Sequence, residues 1–149
     1  MKEEISGTTK AYFAGLFDGE GCVRIMKGKK PSGGIAYSLK VYFNITYANI
    51  LYEMKKQFGG NVISIDMSKQ KTPRMCKAIE IGVMNPDKWK QRYNYTISGK
   101  EAWIFLKTIE TYCKEKRTQV ATAIEYFNGK RSYRGSVITK SETERCEYY

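Results

Sequence analysis

Two carboxylates, Asp18 and Glu20, are the residues of this 149-residue chain whose type and spacing best suit chemistry. They lie near the end of the segment at 13–21, which reads Phe-Ala-Gly-Leu-Phe-Asp-Gly-Glu-Gly. The segment is predicted to close a helix, and the partial negative charge at a helix carboxyl end disfavours acidic side chains. A divalent cation bound to these oxygens would reverse that penalty. The same residues also fit a glycine stop flanked by two surface acids.

Other catalytic classes are excluded by composition. The chain contains no histidine, which excludes Ser-His-Asp and Cys-His catalysis and histidine-ligated zinc. Its four cysteines are dozens of residues apart and form no Cys-x-x-Cys pair, so a zinc ribbon and a disulfide framework have no support. Catalysis would therefore use carboxylates, lysines, hydroxyls or a metal held by oxygen ligands.

Cysteine usage and hydropathy predict an intracellular protein in a reducing compartment, either cytoplasm or an organelle matrix. No secretion signal is expected, because the apolar run at 11–17 is short and stops at Asp18. No stretch approaches the roughly 20 apolar residues of a membrane span, so we expect no membrane partner.

Positive charge is concentrated in the middle of the chain. Residues 24–100 hold 15 lysines and arginines and four acids, while the other residues hold 11 of each kind. The whole net charge of +11 therefore lies in one continuous segment. A scattered excess would indicate ordinary solvated surface, whereas this concentration favours a polyanion-binding face, most simply for nucleic acid.

Hydrophobic periodicity predicts one α+β domain over residues 1–149, with the element order α-β-β-α-β-β-α-α. Thr8 or Thr9 is predicted to cap the first helix and Ser98 the third. The helices are predicted at about 10–18, 48–58, 99–113 and 117–127, and the strands at about 22–30, 38–46, 62–67 and 88–97. Residues 78–81 are a candidate for a further strand, and a polar tail is expected at about 129–149. Antiparallel strands can leave one sheet face open, and a twisted sheet of this kind can lie along a DNA groove.

The first predicted helix carries small residues in rows. Gly15 and Gly19 are four residues apart and share a face, with Ala14 and Asp18 in a second row beside them. Each glycine costs about 1 kcal/mol relative to alanine inside a helix. This cost is explained if another backbone approaches the helix closely.

The segment at 13–21 resembles the LAGLIDADG motif of homing endonucleases. Five positions are identical to the motif: Ala14, Gly15, Leu16, Asp18 and Gly21. The four others are conservative replacements: Phe13, Phe17, Gly19 and Glu20. The element order, the basic segment and the chain length strengthen the resemblance, which covers about residues 8–128.

The resemblance implies an α+β LAGLIDADG-type domain with an antiparallel, saddle-shaped DNA-binding sheet. A chain with one motif is expected to form a homodimer through the helix at 10–18, with Ala14 and Gly15 as structural motif residues. Glu20 is expected to ligate Mg²⁺ or another divalent cation such as Mn²⁺, with the Gly19 carbonyl as a second ligand, and Asp18 to hold the motif turn. The implied activity is site-specific, metal-dependent cleavage of double-stranded DNA at a long pseudo-palindromic site.

Two further site residues follow from the resemblance. Lys116 matches best the lysine that supports the reacting phosphate before the last core helix, with Lys114 as the alternative. A glutamine that positions water is expected at the end of the second strand, but this chain has Tyr47 there. Asn44, Thr46 or Asn49 could take this role, or it could be absent.

The open sheet face supplies the candidates for DNA contact. Arginine and lysine can pair with guanine, and asparagine with adenine. The face is expected to present Arg24, Met26, Lys30, Ser38, Lys40, Tyr42, Asn44, Ser64, Asp66, Arg92, Asn94 and Thr96. Phosphate contacts are expected in loops from Lys27, Lys29, Lys69, Lys71 and Arg74, extended by Lys130, Arg131 and Arg134.

Two other functions stay open. The first is a maturase-like protein that assists RNA intron splicing and binds RNA or DNA without cleaving it, for which the Tyr47 departure leaves room. The second is an unrelated basic α/β domain with a chance motif, which a monomeric mass in solution would favour.

Overall fold

The computed structural model describes residues 4–66, 69 and 72–132. The predicted phosphate contacts of Lys71 and Arg134 lie outside this range, as do the side chains of Lys130 and Arg131. The elements are α1 (Gly7–Glu20), β1 (Gly21–Lys29), β2 (Ile35–Ile45), α2 (Asn49–Phe58), β3 (Asn61–Ile65), α3 (Pro73–Glu80), β4 (Arg92–Ser98), α4 (Gly99–Ile109) and α5 (Arg117–Ser132). A 3₁₀ turn at Pro86–Lys88 precedes β4.

The four strands form one antiparallel sheet in the order β1-β2-β4-β3. Residues directly opposite each other in such a sheet project to the same side. Val41 of β2 lies opposite Val23 of β1 and Ile97 of β4, and this side of the sheet is buried. The alternation predicted for β2 is confirmed. The predicted α+β fold with an antiparallel sheet is confirmed as well.

Helices cover the buried side of the sheet through an aromatic cluster. The Phe105 ring of α4 meets the rings of Phe58, Phe43 and Phe17 edge to face, with centroids 5.2, 5.8 and 6.0 Å apart. Tyr95 of β4 donates a hydrogen bond to the Gly59 carbonyl at 2.8 Å. This packing fixes the inner side of α1 against the sheet.

Helix α1 is longer than predicted at both ends. It begins at Gly7 because the Ser6 side chain, and not that of Thr8 or Thr9, accepts the Thr9 backbone N–H at 3.2 Å. It continues through Gly19 to Glu20 because Gly21 has extended backbone angles and starts β1 directly. No loop separates the helix from the strand.

The candidate strand at 78–81 is wrong, because these residues lie in and just after helix α3. Thr72 caps this helix by accepting the Met75 N–H at 3.3 Å, and Pro73 occupies its first turn. The element order therefore gains a helix between β3 and β4. Strand β4 begins at Arg92 and not at 88, because the 3₁₀ turn occupies the preceding residues.

The last two helices also differ from the prediction in length. Ser98 holds the predicted cap position of α4 without a capping hydrogen bond from its side chain, and α4 ends at Ile109. Helix α5 continues past Asn128, because Asn128 accepts a hydrogen bond from the Trp103 ring at 3.0 Å and Phe127 stacks on that ring. Among the described residues, no helix is long and apolar enough to cross a membrane.

Candidate functional site

The end of α1 is joined to the edge of the sheet by a glycine that has no room for a side chain. The Gly21 N–H bonds to the Phe17 carbonyl. A Cβ at Gly21 would lie 2.3 Å from Phe17 Cδ2 and 2.8 Å from the Phe17 backbone. The helix can therefore pass straight into β1 only with glycine at 21, and Glu20 is held at the junction of the two elements.

Asp18 fastens α1 to the turn that precedes α5. Its Oδ2 accepts the Lys114 N–H at 2.8 Å, and its Oδ1 accepts the Lys116 N–H at 3.0 Å. Burial alone would raise the pKa of Asp18, but the backbone N–H donors of residues 114–116 and the Lys116 ammonium together lower it. Asp18 is predicted to hold the motif turn, whereas these hydrogen bonds run to the turn before α5.

Lys116 reaches the same junction from the other side. Its Nζ donates to the Gly21 carbonyl at 2.7 Å and to the Phe17 carbonyl at 3.0 Å. A cation at the carboxyl end of a helix is favourable, because the last carbonyls carry partial negative charge. Of the two candidate lysines, Lys116 places its side chain at the motif, while Lys114 contributes its backbone N–H.

Glu20 is exposed and makes no hydrogen bond or ion pair within the described part of the chain. Its carboxylate is therefore available to a ligand, unlike that of Asp18. An exposed carboxylate beside a backbone carbonyl is a donor set that suits a hard divalent cation. Among the described residues, no three acidic or cysteine side chains cluster as metal ligands.

The outer side of α1 is open. A Cβ at Gly15 or Gly19 would meet nothing within 4 Å, and Tyr12 on this side is 56% exposed. The second predicted row does not lie here: Ala14 is fully buried in the core, and Asp18 points to the turn before α5. The outer side, defined by Thr8, Ala11, Tyr12, Gly15 and Gly19, is called the α1 outer face below.

The second side of the sheet, called the open face, is polar and free of acids. None of the four strands contains an aspartate or glutamate. Arg24 and Lys40 lie directly opposite each other, an arrangement of like charges that destabilises a sheet unless an anion offsets it. The register places nine predicted residues on this face: Arg24, Met26, Ser38, Lys40, Tyr42, Asn44, Arg92, Asn94 and Thr96. Lys30 lies beyond β1, in the turn that leads to β2.

The face predicted for Ser64 is wrong, and Asp66 lies outside the sheet. Ser64 lies opposite Tyr93, on the helix side of the sheet, while Ile63 lies opposite Asn94 on the open face. The pattern misleads because β3 is an edge strand whose Ser64 extends beyond the cover of the helices and stays exposed. Asp66 follows the end of β3, with its carboxylate 3.6 Å from Lys69 Nζ.

The comparisons with known proteins agree with this geometry. Residues 13–79 match the family model described as LAGLIDADG endonuclease. The match spans less than half of the chain, which therefore resembles the LAGLIDADG endonuclease family in this segment. No curated protein matches the sequence.

The fold of this protein is also found in solved structures. The archaeal intron-encoded homing endonuclease I-Vdi141I, complexed with DNA, gives a TM-score of 0.65 at 14% identity over 95% of this chain and 81% of that one. The homing endonuclease I-CvuI, in complex with a DNA target in the presence of Mg, gives a TM-score of 0.60 at 13% sequence identity. The alignment covers 93% of this chain and 92% of that one. A second I-CvuI complex, in the presence of Ca, gives a TM-score of 0.51 at 18% sequence identity. The alignment covers 81% of this chain and 66% of that one. At these identities the likeness shows the fold.

The chain departs from the resemblance at Tyr47. This residue follows β2, is 64% exposed and accepts a hydrogen bond from the Asn49 side chain at 3.0 Å. Of the candidate substitutes, Asn49 is thus engaged with Tyr47, Asn44 lies on the open face, and Thr46 lies exposed between β2 and α2.

A cleft that sequence reasoning missed lies between β1 and α5, with Val23, Ile25 and Ala123 in its wall. It has a volume of about 410 Å³ and is lined by Arg24 and Lys116 together with Thr118, Gln119 and Thr122 of α5. Three polar residues close together at the start of α5 were the available signal, but helical periodicity alone does not show which strand they face.

Proposed function

We propose that this protein is a LAGLIDADG-type, site-specific, metal-dependent endonuclease that cleaves double-stranded DNA as a homodimer on a long pseudo-palindromic site. The observation that carries the proposal is the position of Glu20. It is a free carboxylate at the end of the helix whose outer face carries Gly15 and Gly19 with open space around them. Two such helices packed through this face would bring two Glu20 carboxylates together.

The α1 outer face suits a second copy of itself. Helices usually pack with their axes 8–10 Å apart, and glycines in the contact allow the closer end of that range. A homodimer with twofold symmetry uses the same patch on both subunits, which matches one helix face used twice. Two subunits related in this way read two inverted half-sites.

Glu20 and the Gly19 carbonyl would hold Mg²⁺ or Mn²⁺. When bound, a divalent ion activates water and stabilises the leaving oxygen in phosphodiester hydrolysis. Lys116 holds positive charge beside this point through the Phe17 and Gly21 carbonyls. Asp18 keeps the turn of Lys116 fixed to α1, so the lysine and Glu20 are positioned by the same helix end.

The open face would bind the duplex. It carries Arg24, Lys40 and Arg92 with no acid in any strand, so its field attracts phosphates. Its asparagines, serines and threonine can donate to and accept from base edges in the major groove. The DNA complexes of the structural neighbours support this use of the fold.

The test is a selection of cleaved molecules from randomised duplex DNA with Mg²⁺. We expect one roughly palindromic site from the unmodified protein and no cleaved product from Glu20→Gln, which should still bind the site. Glu53→Gln, the same substitution at an exposed position of α2, is the matched control and should cleave normally. Cleavage by Glu20→Gln at the unmodified rate would remove Glu20 from the mechanism.

Tyr47 is the observation that favours a second candidate function. An exposed tyrosine occupies the position where the resemblance expects a glutamine that positions water, so cleavage could be absent. In this alternative the protein binds RNA or DNA as a maturase-like factor without cleavage. Preference for structured RNA over duplex DNA, with no metal-dependent nicking, would favour it.

A further inference from the structure

We propose that Asn44 and Ile63 form an A·T-reading pair on the open face, about four base pairs from a guanine-reading pair formed by Arg24 and Lys40. This inference rests on the proposed DNA binding and goes beyond it, because it assigns base preferences and their order to particular residues.

The register places the first pair in one row across the sheet. Asn94 of β4 lies opposite Asn44 of β2 on one side and opposite Ile63 of β3 on the other. With strands about 4.8 Å apart, Asn44 and Ile63 are separated by about 10 Å. The major groove is about 12 Å wide, so both side chains fit within one groove.

The chemistry of the row suits an A·T pair. Ile63 is 54% exposed on a face that is otherwise mostly polar, and its branched aliphatic group has no hydrogen-bonding capacity. The apolar feature of the major groove is the thymine methyl group, while an asparagine amide matches adenine N6 and N7. Asn44 is exposed and free to reach a base.

Asn94, between them, is less accessible. Its amide oxygen is covered and has no hydrogen-bond partner in the described chain. We therefore assign the reading to the two exposed neighbours.

The second pair lies at a fixed distance along β2. Lys40 is four residues before Asn44 on the same side, which is about 14 Å at 3.4 Å per residue. Arg24 lies directly opposite Lys40. Base pairs repeat every 3.4 Å along the duplex, so a strand that follows the groove separates the two pairs by about four base pairs. Because Gly21 lies opposite Phe43, the A·T row is level with the Glu20 end of β1 and the guanine pair lies farther from it.

The experiment compares targets selected by binding, without divalent metal and at one fixed salt concentration. Ile63→Ala should relax the preference at one A·T position, and Asn44→Ala at the same or an adjacent A·T position. Arg24→Ala should relax a G·C position about four base pairs away. Ser64→Ala, on the other side of the same strand as Ile63, is the matched control and should relax none.

The decisive measurement replaces the thymine at the relaxed position by deoxyuridine, which lacks the methyl group. The unmodified protein should lose about fourfold in affinity, the value expected for one buried methyl group. Ile63→Ala should bind both duplexes equally, and Ile63→Val should keep part of the discrimination.

Equal binding of the two duplexes by the unmodified protein would overturn the proposal, as would relaxation of the same positions by Ser64→Ala. A selected site with G·C pairs at the Ile63 position would also overturn it. Failure of every variant and of the unmodified protein to bind any duplex would instead overturn the proposed function. The two failures are distinguished by whether the unmodified protein selects a site.

Discussion

Replacing Asp18 by asparagine should destabilise the protein, while Glu20→Gln should leave stability almost unchanged. The two acids are two residues apart, yet Asp18 accepts two backbone N–H groups and Glu20 accepts none from the described residues. A hydrogen bond to a charged group contributes about 1.5–3 kcal/mol. Asparagine keeps one acceptor oxygen and turns an NH₂ group toward the second N–H, so roughly one bond is lost. Asp18 is partly exposed, so water replaces part of the lost hydrogen bond. The free energy of unfolding should therefore fall by about 2 kcal/mol.

Thermal unfolding at one fixed protein concentration measures this difference. A loss of about 2 kcal/mol corresponds to a fall of about 4–8 °C in Tm for a domain of this size. Glu20→Gln should stay within about 0.5 kcal/mol of the unmodified protein, the usual range for an exposed position. Because the pKa of Asp18 is lowered in the folded protein, its contribution is present above the unfolded pKa and is lost as pH falls through the folded pKa. The difference in unfolding free energy between the unmodified protein and Asp18→Asn should therefore become smaller below about pH 4. Equal Tm values for the two proteins at neutral pH, or a larger loss in Glu20→Gln, would refute the reasoning.

Two further predictions concern the interface and the lysine. Gly15→Leu should fold normally, because nothing lies within 4 Å of the new Cβ, but it should convert a dimer to a monomer in sedimentation at micromolar concentration; an unchanged dimer would place the interface elsewhere. Lys116→Met should lower the cleavage rate by about 10²-fold or more, the usual cost of losing one charge-stabilising donor, with much smaller loss of DNA affinity. Lys114→Met is its matched control and should cleave at close to the normal rate. If Lys114→Met lowered the cleavage rate more than Lys116→Met does, Lys114 would be the lysine that supports the reacting phosphate.

Elements with a strong hydrophobic period could be predicted from the sequence, whereas the sides of β3 and the helical state of α3 could not. The side-chain alternation of β2 identified its buried side, because helices cover that strand along its length. In β3 the same reasoning assigned Ser64 to the wrong side, because alternation marks a face only where one side is buried. The strand proposed at 78–81 failed because α3 buries none of its residues, so no core selects its pattern.

The candidate site was predictable where it depended on local sequence. Nine consecutive residues indicated the motif helix, and the roles expected for Asp18 and Glu20 came from the resemblance that these residues carry. Contacts between distant segments were beyond reach, because Asp18 meets the turn at 114–116 only through the tertiary fold. The burial of Ala14 was missed for the same reason, since helix geometry gives the neighbours of a residue along the helix but not which side faces the sheet.

In the proposed DNA-binding dimer, the direct passage of α1 into β1 would let the bases recognised and the spacing between half-sites be set by different parts of the molecule. Without a linker at Gly21, the strand direction is tied to the helix axis, and the contacts of Asp18 and Lys116 prevent rotation at the junction. In the proposed dimer, the spacing between half-sites is then set by the packing of one helix against its copy. Substitutions along the strands can change the bases recognised without altering that spacing, while a substitution at Gly15 or Gly19 would change the spacing in both half-sites at once. In the proposed dimer, single substitutions in the strands could thus change the target sequence. A change in target length would require a different packing of the two α1 helices.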